Sequence, residues 1–562
     1  MRYTLGLGRR HVSCLRLAQS SGVCAVLLVL ALSHCSAVDY GVEQCERNED
    51  CAPLAQDGQR LVCEAHVCVD SVSCELNSDC AAPTDGDVEV CVAGTCQLLL
   101  TEECWGRYPR AVGAVPDGTV LLGGFAPLSK SERASTPVLL NYELAVAELN
   151  NGALPHDFLL VVCDNDNETP EGSGGGTMST PVEVGYRHLV ETLQVPGLVT
   201  DFLDSEQVGE LAEWSATLPS PPLVLVPGES VGTSKDDSYL WYLGGQPQDY
   251  AQAYVELYRL AIAQLQAQRG AEEIRAAVVV GDDAYWRQAF GGFRAALAAA
   301  PDELPEQKAF DLGIDSQEET VQELLDWEVE LLFVLMSEDY ATVFGDLEVG
   351  FEASGVPAER WPLYLFSRVQ ADSGLLLFFL DQDPSLQARL VGLNGTAPAS
   401  DVYADYVRRL RTMFADVTPN VESLARYYDA VYYLAYSVVA AESRGRDTTD
   451  VDLRTGLQRI ALVSADERPE VQGEVVPVGP ESFNEALTIL ADDGSSFVLE
   501  GATGQAVFGE WSGTRELPIG MYCFADEEAG FEVRRDALFY DAPSGHFVDE
   551  GASGFCFDGF WP

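Results

Sequence analysis

The chain has 562 residues, of which 47% are hydrophobic and 22% are charged, and its formal net charge at pH 7 is −56. Its length predicts two or three domains, because a single hydrophobic core stops growing beyond roughly 250–300 residues. The apolar content is that of a globular chain and excludes a disordered one. A surface this acidic repels phosphate backbones and anionic headgroups, which excludes nucleic-acid binding as a function class.

The N-terminus predicts export, with residues 1–37 as a signal peptide. Basic residues precede a short apolar run, Val23 to Leu32, which is shorter than the roughly 18 residues that a membrane-spanning helix needs. Two cleavage sites stay open. In one, Cys35 closes a lipobox-like sequence and becomes the lipidated first residue of a membrane-anchored protein. In the other, cleavage after Ala37 gives a soluble protein.

Cysteine usage also indicates an oxidising compartment. The chain has 15 cysteines, and an even number follows the signal peptide, as disulfide pairing requires. Within residues 38–104, eight of them form two copies of one pattern about 29 residues apart: Cys45, Cys51, Cys63, Cys68, Cys74, Cys80, Cys91 and Cys96. These repeats contain few apolar residues, so covalent links must stabilise them. Their connectivity stays open.

Zinc coordination is the alternative for these repeats. It is disfavoured because structural zinc sites use closely spaced cysteine pairs, and the spacings here are longer. We therefore expect no metal and no cofactor. Two further disulfides are predicted, Cys104 with Cys163 and Cys523 with Cys556. The expected role of the repeats is a spacer, and a protein-contact module is the alternative.

Beyond Pro116, apolar runs alternate with amphipathic stretches of helical period. The predicted strands are Thr119–Gly123, Phe158–Cys163, Leu223–Val226, Ala276–Val280, Leu331–Leu335 and Leu363–Phe366. The main predicted helices are 250–268, 288–299 and 423–444, the last with a dense tyrosine cluster that we expect in the core. This alternation predicts an α/β fold with parallel sheets covered on both faces.

Four segments, in this order, resemble the type I periplasmic binding proteins, in the branch that includes branched-chain amino acid receptors. They are Thr119–Pro127, Asp282-Asp283-Ala284-Tyr285, Tyr428–Ala440 and Gly501–Phe508, and the resemblance covers Pro116 to Met521. It implies a two-lobed α/β fold with three interlobe crossings. We place the crossings near Gly245–Asp249, Phe366–Gln370 and Gly509–Pro518. Lobe one then comprises 116–246 and 368–509, and lobe two comprises 247–367 with the C-terminal tail 510–562.

Ligands of parallel sheets bind beyond the carboxyl ends of the strands, where helix N-termini offer free N–H groups. On lobe one this selects Ser129, Ser205, Gly228, Glu229 and Ser230. The resemblance implies that Ser205 and the loop at 228–230 bind a ligand carboxylate, while a helix N-cap is the alternative for Ser205 and Ser230. Glu229 departs from the small residue usual in the family.

On lobe two the same reasoning selects Tyr285, Ser337, Asp339 and Ser367. The resemblance implies that Tyr285 closes over the ligand and that Asp339 pairs with a ligand ammonium. Interlobe packing and helix capping, respectively, are the alternatives. The family often carries an acid beside Ser367, which this chain lacks.

The sequence predicts an exported, lipid-anchored solute-binding protein that captures a small polar ligand, such as an amino acid, for an ABC-type permease or a sensor. Motifs of serine hydrolases and zinc peptidases are missing from the sequence, so we expect no catalysis. The alternative is an interaction protein with a degenerate cleft, in which the Cys-rich repeats make the contact. Three departures from the family favour this alternative: Glu229, Trp286 where the family has a glycine, and the missing acid at the strand end after Phe366.

Overall fold

The computed structural model describes residues 45, 51, 61–64, 66–70, 74–80, 88–110, 114–129, 132–151, 154–165, 181–200, 205–228, 239–244, 247, 250–270, 273–281, 284–300, 307–312, 315–336, 340–367, 380, 383–395, 400–414, 421, 424–443, 453–463, 474–492, 495–508, 513, 515, 519–527, 530–541 and 544–549. The signal sequence with Cys35 lies outside this set, and so do Glu229, Ser230, Ser337, Asp339 and Cys556.

The chain forms two compact units, Met1–Val72 and Ser73–Pro562. The first unit contains the first Cys-rich repeat, whose hairpin pairs β1 (Leu61–Glu64) with β2 (Val67–Asp70). The second repeat, in the second unit, has a matching hairpin of β3 (Glu89–Val92) and β4 (Thr95–Leu98). The sequence repeat therefore corresponds to a repeat of structure.

Both repeats have the same disulfide connectivity, first cysteine with third and second with fourth: Cys45–Cys63, Cys51–Cys68, Cys74–Cys91 and Cys80–Cys96. The third and fourth cysteines face each other across each hairpin, yet each bonds to the segment that precedes the hairpin. Three sulfur atoms of each repeat lie within 4.8 Å of one another. Because all of these sulfurs are oxidised, none is a thiolate that could bind a metal ion.

The second repeat packs against the large domain. Val90 and Leu99 are buried in one hydrophobic cluster with the first sheet. The Asn77 side chain donates a hydrogen bond to the carbonyl of Pro116 at 2.9 Å, and His188 Nε2 donates to the carbonyl of Leu99 at 3.1 Å. The predicted 38–104 module is therefore divided between the two units, since its second repeat is part of the large unit. The spacer role of the repeats stays a prediction.

The first sheet of the large domain has six strands in the order β10-β9-β8-β6-β7-β5. They are β5 (Gly106–Tyr108), β6 (Val120–Ala126), β7 (Phe158–Asp164), β8 (Gly197–Val199), β9 (Leu223–Val226) and β10 (Leu240–Tyr242). All pairs are parallel except β5 with β7. The predicted Cys104–Cys163 disulfide is confirmed, and it ties the chain before β5 to β7.

The second sheet has eight strands in the order β12-β11-β13-β14-β15-β21-β22-β23. They are β11 (Ala276–Val280), β12 (Lys308–Asp311), β13 (Leu331–Leu335), β14 (Leu363–Phe366), β15 (Leu390–Gly395), β21 (Ile519–Glu527), β22 (Gly530–Asp541) and β23 (His546–Asp549). The first five are parallel, and the C-terminal strands extend the sheet antiparallel. Cys523 in β21 is disulfide-bonded, but its pairing with Cys556 stays a prediction.

Smaller strands and the helices cover these sheets. The strands are β16 (Leu462–Val463), β17 (Glu474–Pro477), β18 (Phe497–Gly501), β19 (Gly504–Gln505) and β20 (Val507–Phe508). The helices are α1 (Glu132–Asn150), α2 (Pro181–Tyr186), α3 (Ser205–Ala216), α4 (Ala251–Arg269), α5 (Ala284–Ala299), α6 (Gln317–Asp326), α7 (Tyr340–Ser354), α8 (Asp401–Met413), α9 (Ala425–Glu442), α10 (Leu453–Ile460) and α11 (Phe483–Leu490). Within the described ranges, no helix has both the length and the apolarity to span a membrane.

The predicted α/β fold with two parallel-stranded lobes is confirmed. One predicted boundary, the placement of residues 368–509 in lobe one, is wrong, because β15 pairs with β14 in the second sheet. Tyr364 lies opposite Leu390, so the chain returns to the first lobe only after Gly395. The sequence signal at β15 is weak, because the strand includes two glycines and an asparagine, which strands disfavour.

The tyrosine cluster of α9 lies in the core of the first lobe, as predicted, around a buried polar network. Glu148 of α1 accepts hydrogen bonds from the hydroxyls of Tyr428 and Tyr432 at 2.7 and 2.8 Å. Arg409 Nε donates to the same carboxylate at 2.8 Å. Burial raises the pKa of both tyrosines well above the usual range, so both remain donors to Glu148.

A second buried charge, Asp429, joins α9 to the turn between β18 and β19. Its carboxylate accepts hydrogen bonds from the backbone N–H groups of Ala502 and Thr503 at 2.7 and 2.9 Å, and from the Thr503 hydroxyl. The Arg515 guanidinium lies 4.0 Å from it, and both side chains are fully buried. Burial raises the pKa of Asp429, whereas Arg515 and the three donors oppose that shift.

We expect Asp429→Asn to destabilise the protein by about 3–5 kcal/mol, because it leaves Arg515 as a buried charge without its counter-ion. The matched control is Asp405→Asn, which breaks an exposed pair with Arg408 and should leave stability unchanged. Denaturant unfolding followed by circular dichroism measures both. Equal midpoints for the two variants would contradict the assigned role of Asp429.

Lowering the pH should weaken the packing of the second repeat against the large domain, because His188 contacts this repeat and is destabilised when it is protonated. Burial lowers the pKa of this histidine below its usual 6.5, so protonation favours the unfolded chain. The stability contributed by neutral His188 is present above pH 6.5 and is lost as the pH falls through the lower folded-state pKa. Between about pH 7.5 and 5.5, the wild type should lose up to about 1 kcal/mol more than His188→Gln, whose amide can donate the same bond. Thermal midpoints at both pH values test this, and identical pH dependences would refute it.

Candidate functional site

The candidate residues of lobe one lie at the carboxyl edge of the first sheet. In the register of the central strands, Gly124 lies opposite Val199, and Val199 lies opposite Leu225. The strands β6, β8 and β9 therefore end within two residues of one another. Because Ser129, Ser205 and Gly228 follow these ends, the edge gathers the candidates that the sequence placed there.

Ser129 and Gly228 have different environments at this edge. Ser129 is exposed, and its backbone N–H donates a hydrogen bond to Asp164 Oδ2, at the end of β7, at 3.1 Å. Gly228 is buried, and its carbonyl would lie 2.3 Å from a Cβ placed on Gly244. The backbone of the loop after β9 is thus closely packed against the chain that leaves β10. Ser205 begins α3, as predicted, while its side chain lies outside the described atoms.

The second sheet presents a comparable edge. Val280 lies opposite Leu335, and Val334 lies opposite Phe366, so β11, β13 and β14 also end together. Tyr285, in the first turn of α5, is partly buried and its ring lies 4.8 Å from that of Trp286, edge to face. Trp286 is itself buried in the core of the second lobe. Tyr285 therefore has both a core contact and some exposed surface.

Ser367 is fully buried, and the Tyr522 hydroxyl donates a hydrogen bond to its carbonyl at 2.7 Å. In this conformation none of its surface is open to a ligand. The candidates Glu229, Ser230, Ser337 and Asp339 stay predictions, since they lie outside the described residues.

The sequence did not single out two polar residues that the structure places in the first lobe. Thr200 follows β8 and is 1% exposed, and its N–H donates to the carbonyl of Leu225 at 3.0 Å. Arg426 lies in the first turn of α9 and is 8% exposed. The signal for Arg426 in the sequence is a single basic residue at the start of an otherwise apolar and aromatic helix.

A cavity of about 260 Å³ lies between α4, the end of α5 and the hairpin of β22 and β23. Its polar lining is centred on Glu256, which accepts hydrogen bonds from Arg259 at 3.0 Å and pairs with His546 at 2.9 Å. Since α5 begins at the carboxyl edge of the second sheet, its far end lies at the opposite edge. This cavity is therefore separate from the candidate ligand site.

These features define a class of protein: two parallel-stranded lobes, linked by several crossings, each with a carboxyl edge that carries polar residues. The large domain has the two-lobed fold of type I periplasmic binding proteins. A solute-binding protein of an ABC transporter from R. palustris, in complex with 4-hydroxybenzoate, superimposes with a TM-score of 0.50 and 11% identity, covering 74% of this chain and 96% of that chain.

Two further solved structures are similar to this chain. A leucine binding protein from Thermotoga maritima MSB8 gives a TM-score of 0.48 and 11% identity, covering 74% of this chain and 97% of its own. An ABC transporter substrate-binding protein from Desulfitobacterium hafniense in complex with Leu gives a TM-score of 0.43 and 15% identity, covering 74% of this chain and 100% of that chain. No protein-family model and no curated protein sequence matches the chain. At these identities the similarity shows the fold alone.

We expect Gly244→Ala to destabilise the first lobe by about 1–3 kcal/mol, because the new methyl group would overlap the carbonyl of Gly228. The control is Gly209→Ala in α3, where a Cβ meets nothing within 4 Å and alanine should stabilise the helix by about 0.5–1 kcal/mol. Thermal unfolding of both variants measures the difference. A neutral Gly244→Ala would show that the loop backbone is free to move.

Proposed function

We propose that this protein is an exported solute-binding protein that captures a small polar ligand between its two lobes. The observation that carries the proposal is the aligned ends of three neighbouring parallel strands in each sheet. Such edges are where α/β sheets bind ligands, and chain crossings between the lobes allow the lobes to close on a ligand. The solute-binding protein from R. palustris, whose structure contains 4-hydroxybenzoate, supports this through its fold.

In this proposal the ligand is delivered to an ABC-type permease or to a sensor, which recognises the closed form. A ligand stabilises that form only by the difference between its affinities for the closed and the open states. Export through the signal peptide and lipid attachment at Cys35 are part of the proposal. The first Cys-rich repeat would then separate the binding domain from the membrane. We propose a binding function without catalysis.

A second candidate is an interaction protein that uses the Cys-rich region for contact. The observation that favours it is the second repeat, which is held against the large domain and adjoins exposed apolar side chains. Leu76 and Trp105 leave 51% and 53% of their surface exposed. The burial of Ser367 and Trp286 also fits a cleft that has lost its ligand.

The experiment that tests the first proposal is thermal unfolding of the full chain with amino acids, hydroxybenzoates, small amides and sugars. A compound that binds only the folded protein at 100 times its Kd stabilises it by about 2.7 kcal/mol. We expect one class to give a saturable rise in the midpoint. Tyr285→Ala and Ser230→Ala should reduce that rise. Tyr285→Phe keeps the ring and removes the hydroxyl, so it shows how much of the effect of Tyr285→Ala comes from the hydroxyl.

The control is Arg408→Ala, on the exposed side of α8, which should leave any ligand-induced shift unchanged. A shift that survives Tyr285→Ala and Ser230→Ala together would place the ligand elsewhere and contradict the assigned cleft. No shift with any class would favour the interaction protein.

A further inference from the structure

The N-terminal end of α9 lies at the carboxyl edge of the first sheet. Helix α1 starts soon after the carboxyl end of β6, so its N-terminus is at that edge. Contacts between α1 and α9 advance in the same direction along both helices. The rings of Tyr142 and Tyr427 lie 6.1 Å apart, and Glu148 accepts a hydrogen bond from Tyr432 further along. The two helices are thus parallel. Leu434 of α9 lies beside Gly197, the first residue of the three-residue strand β8. Because α9 begins roughly 13 Å before Leu434 along its axis, its N-terminal end lies beside the carboxyl end of that strand.

Arg426, in the first turn of α9, is a buried cation that has no paired anion among the described residues. Only 8% of its surface is exposed. Across the described part of the chain, its Nε and Nη1 atoms have no hydrogen-bond partner. Its guanidinium lies 5.5 Å from the ring centre of Tyr427, which is a weak interaction beside that of a carboxylate. A buried charge of this kind costs several kcal/mol unless it is paired.

Other buried arginines of the large domain are provided with acceptors. Arg389 pairs with Glu348 at 2.5 Å, and Arg409 pairs with Glu148 at 2.8 Å. Arg459 donates to backbone carbonyls, including that of Ser495 at 2.9 Å. These buried guanidinium groups are therefore neutralised or hydrogen-bonded by the fold. Acidic partners are also abundant, since the chain has 89 acidic residues. Arg426 departs from this pattern.

The position of Arg426 makes the missing anion more costly. A helix N-terminus carries unpaired N–H groups and a partial positive charge, which favours anions and disfavours cations. Leu424, at the N-cap of α9, makes no side-chain capping bond, and the first turn, which is fully described, contains no acidic residue. The guanidinium and the helix N-terminus thus both favour negative charge near the start of α9.

We propose that Arg426 and the N-terminus of α9 form an anion subsite that binds the carboxylate of an organic acid at the candidate cleft. The proposal names the ligand class of the proposed function and rests on it. A single guanidinium neutralises the single charge of a carboxylate, whereas a phosphate monoester carries about two charges at pH 7. The guanidinium fork also matches the planar geometry of a carboxylate.

The test compares wild-type protein with Arg426→Met, which keeps an unbranched apolar stem and removes the charged guanidinium. The probes are 4-hydroxybenzoate with 4-hydroxybenzamide and leucine with leucinamide, each on the full chain by thermal unfolding. We expect an acid, and not its amide, to raise the wild-type midpoint. Arg426→Met should weaken the apparent affinity for that acid by at least about tenfold. Without ligand, it should be at least as stable as the wild type.

Two controls keep the outcomes distinct. Arg408→Met removes an exposed arginine and should leave acid binding unchanged. Sodium formate, compared with sodium chloride at equal ionic strength, tests the subsite when no larger probe binds, and formate should stabilise the wild type more than Arg426→Met.

A ligand that binds Arg426→Met as tightly as the wild type would overturn the subsite and leave the proposed function standing. Equal responses of the two proteins to formate, in the absence of any binding probe, would overturn the subsite as well. A formate response that depends on Arg426, with no larger ligand found, would support the subsite while the proposed function fails.

Discussion

The carboxylate of Asp429 is the interaction on which the arrangement of the first lobe depends. It holds the turn at Ala502 and Thr503 against α9, the helix that fills the centre of the lobe. The contact is close enough that a Cβ on Gly501 would lie 2.4 Å from the carboxylate, so only glycine fits there. Arg515, beside Asp429, also donates its backbone N–H to the carbonyl of Tyr242 at the end of β10. Shortly after Arg515 the chain enters β21 of the second sheet. One buried charge pair therefore fixes both α9 and the last crossing between the lobes.

Much of this architecture follows from local sequence. Four fully buried strands are continuous apolar runs whose predicted bounds agree with the structure: Leu223–Val226, Ala276–Val280, Leu331–Leu335 and Leu363–Phe366. The short buried strands β8 and β10 have no such prediction. The strand β15 was missed because its place depends on pairing with Tyr364 and with the distant strand β21. The disulfide connectivity is likewise a property of three-dimensional contact. In each hairpin the two cysteines lie opposite each other, yet they do not bond to each other. Each forms its disulfide with a cysteine of the segment that precedes the hairpin, and only the folded structure shows this. The second repeat is held against the large domain by single contacts such as the hydrogen bond from Asn77 to Pro116. The periodicity of the sequence does not predict contacts of this kind.

The candidate site, too, could be predicted from the sequence only in part. Its location could be predicted, because strand ends can be read from the sequence and parallel strands that end together create an edge. The burial of Ser367 could not be predicted, since the hydroxyl that binds its carbonyl belongs to Tyr522, more than 150 residues later. The sequence does not single out Arg426, because the apolar and aromatic pattern of its helix predicts a core helix. Tyr427 and Tyr428 beside it are indeed fully buried. What distinguishes Arg426 is the lack of a partner within the described structure, and that is visible only when all surrounding side chains are placed.

The charge of the protein and the proposed anion subsite act on different steps of binding. A net charge of −56 repels an approaching organic acid, and salt screens this repulsion beyond roughly 8–10 Å. Long-range charge therefore governs how fast such a ligand arrives. The buried guanidinium of Arg426 is screened much less, and it interacts with the ligand only at contact distance. It would therefore govern how long the ligand stays. In this proposal, an acidic surface combined with a buried cation that has no partner among the described residues favours a small acid whose carboxylate reaches that cation, and it rejects acids that remain outside the cleft.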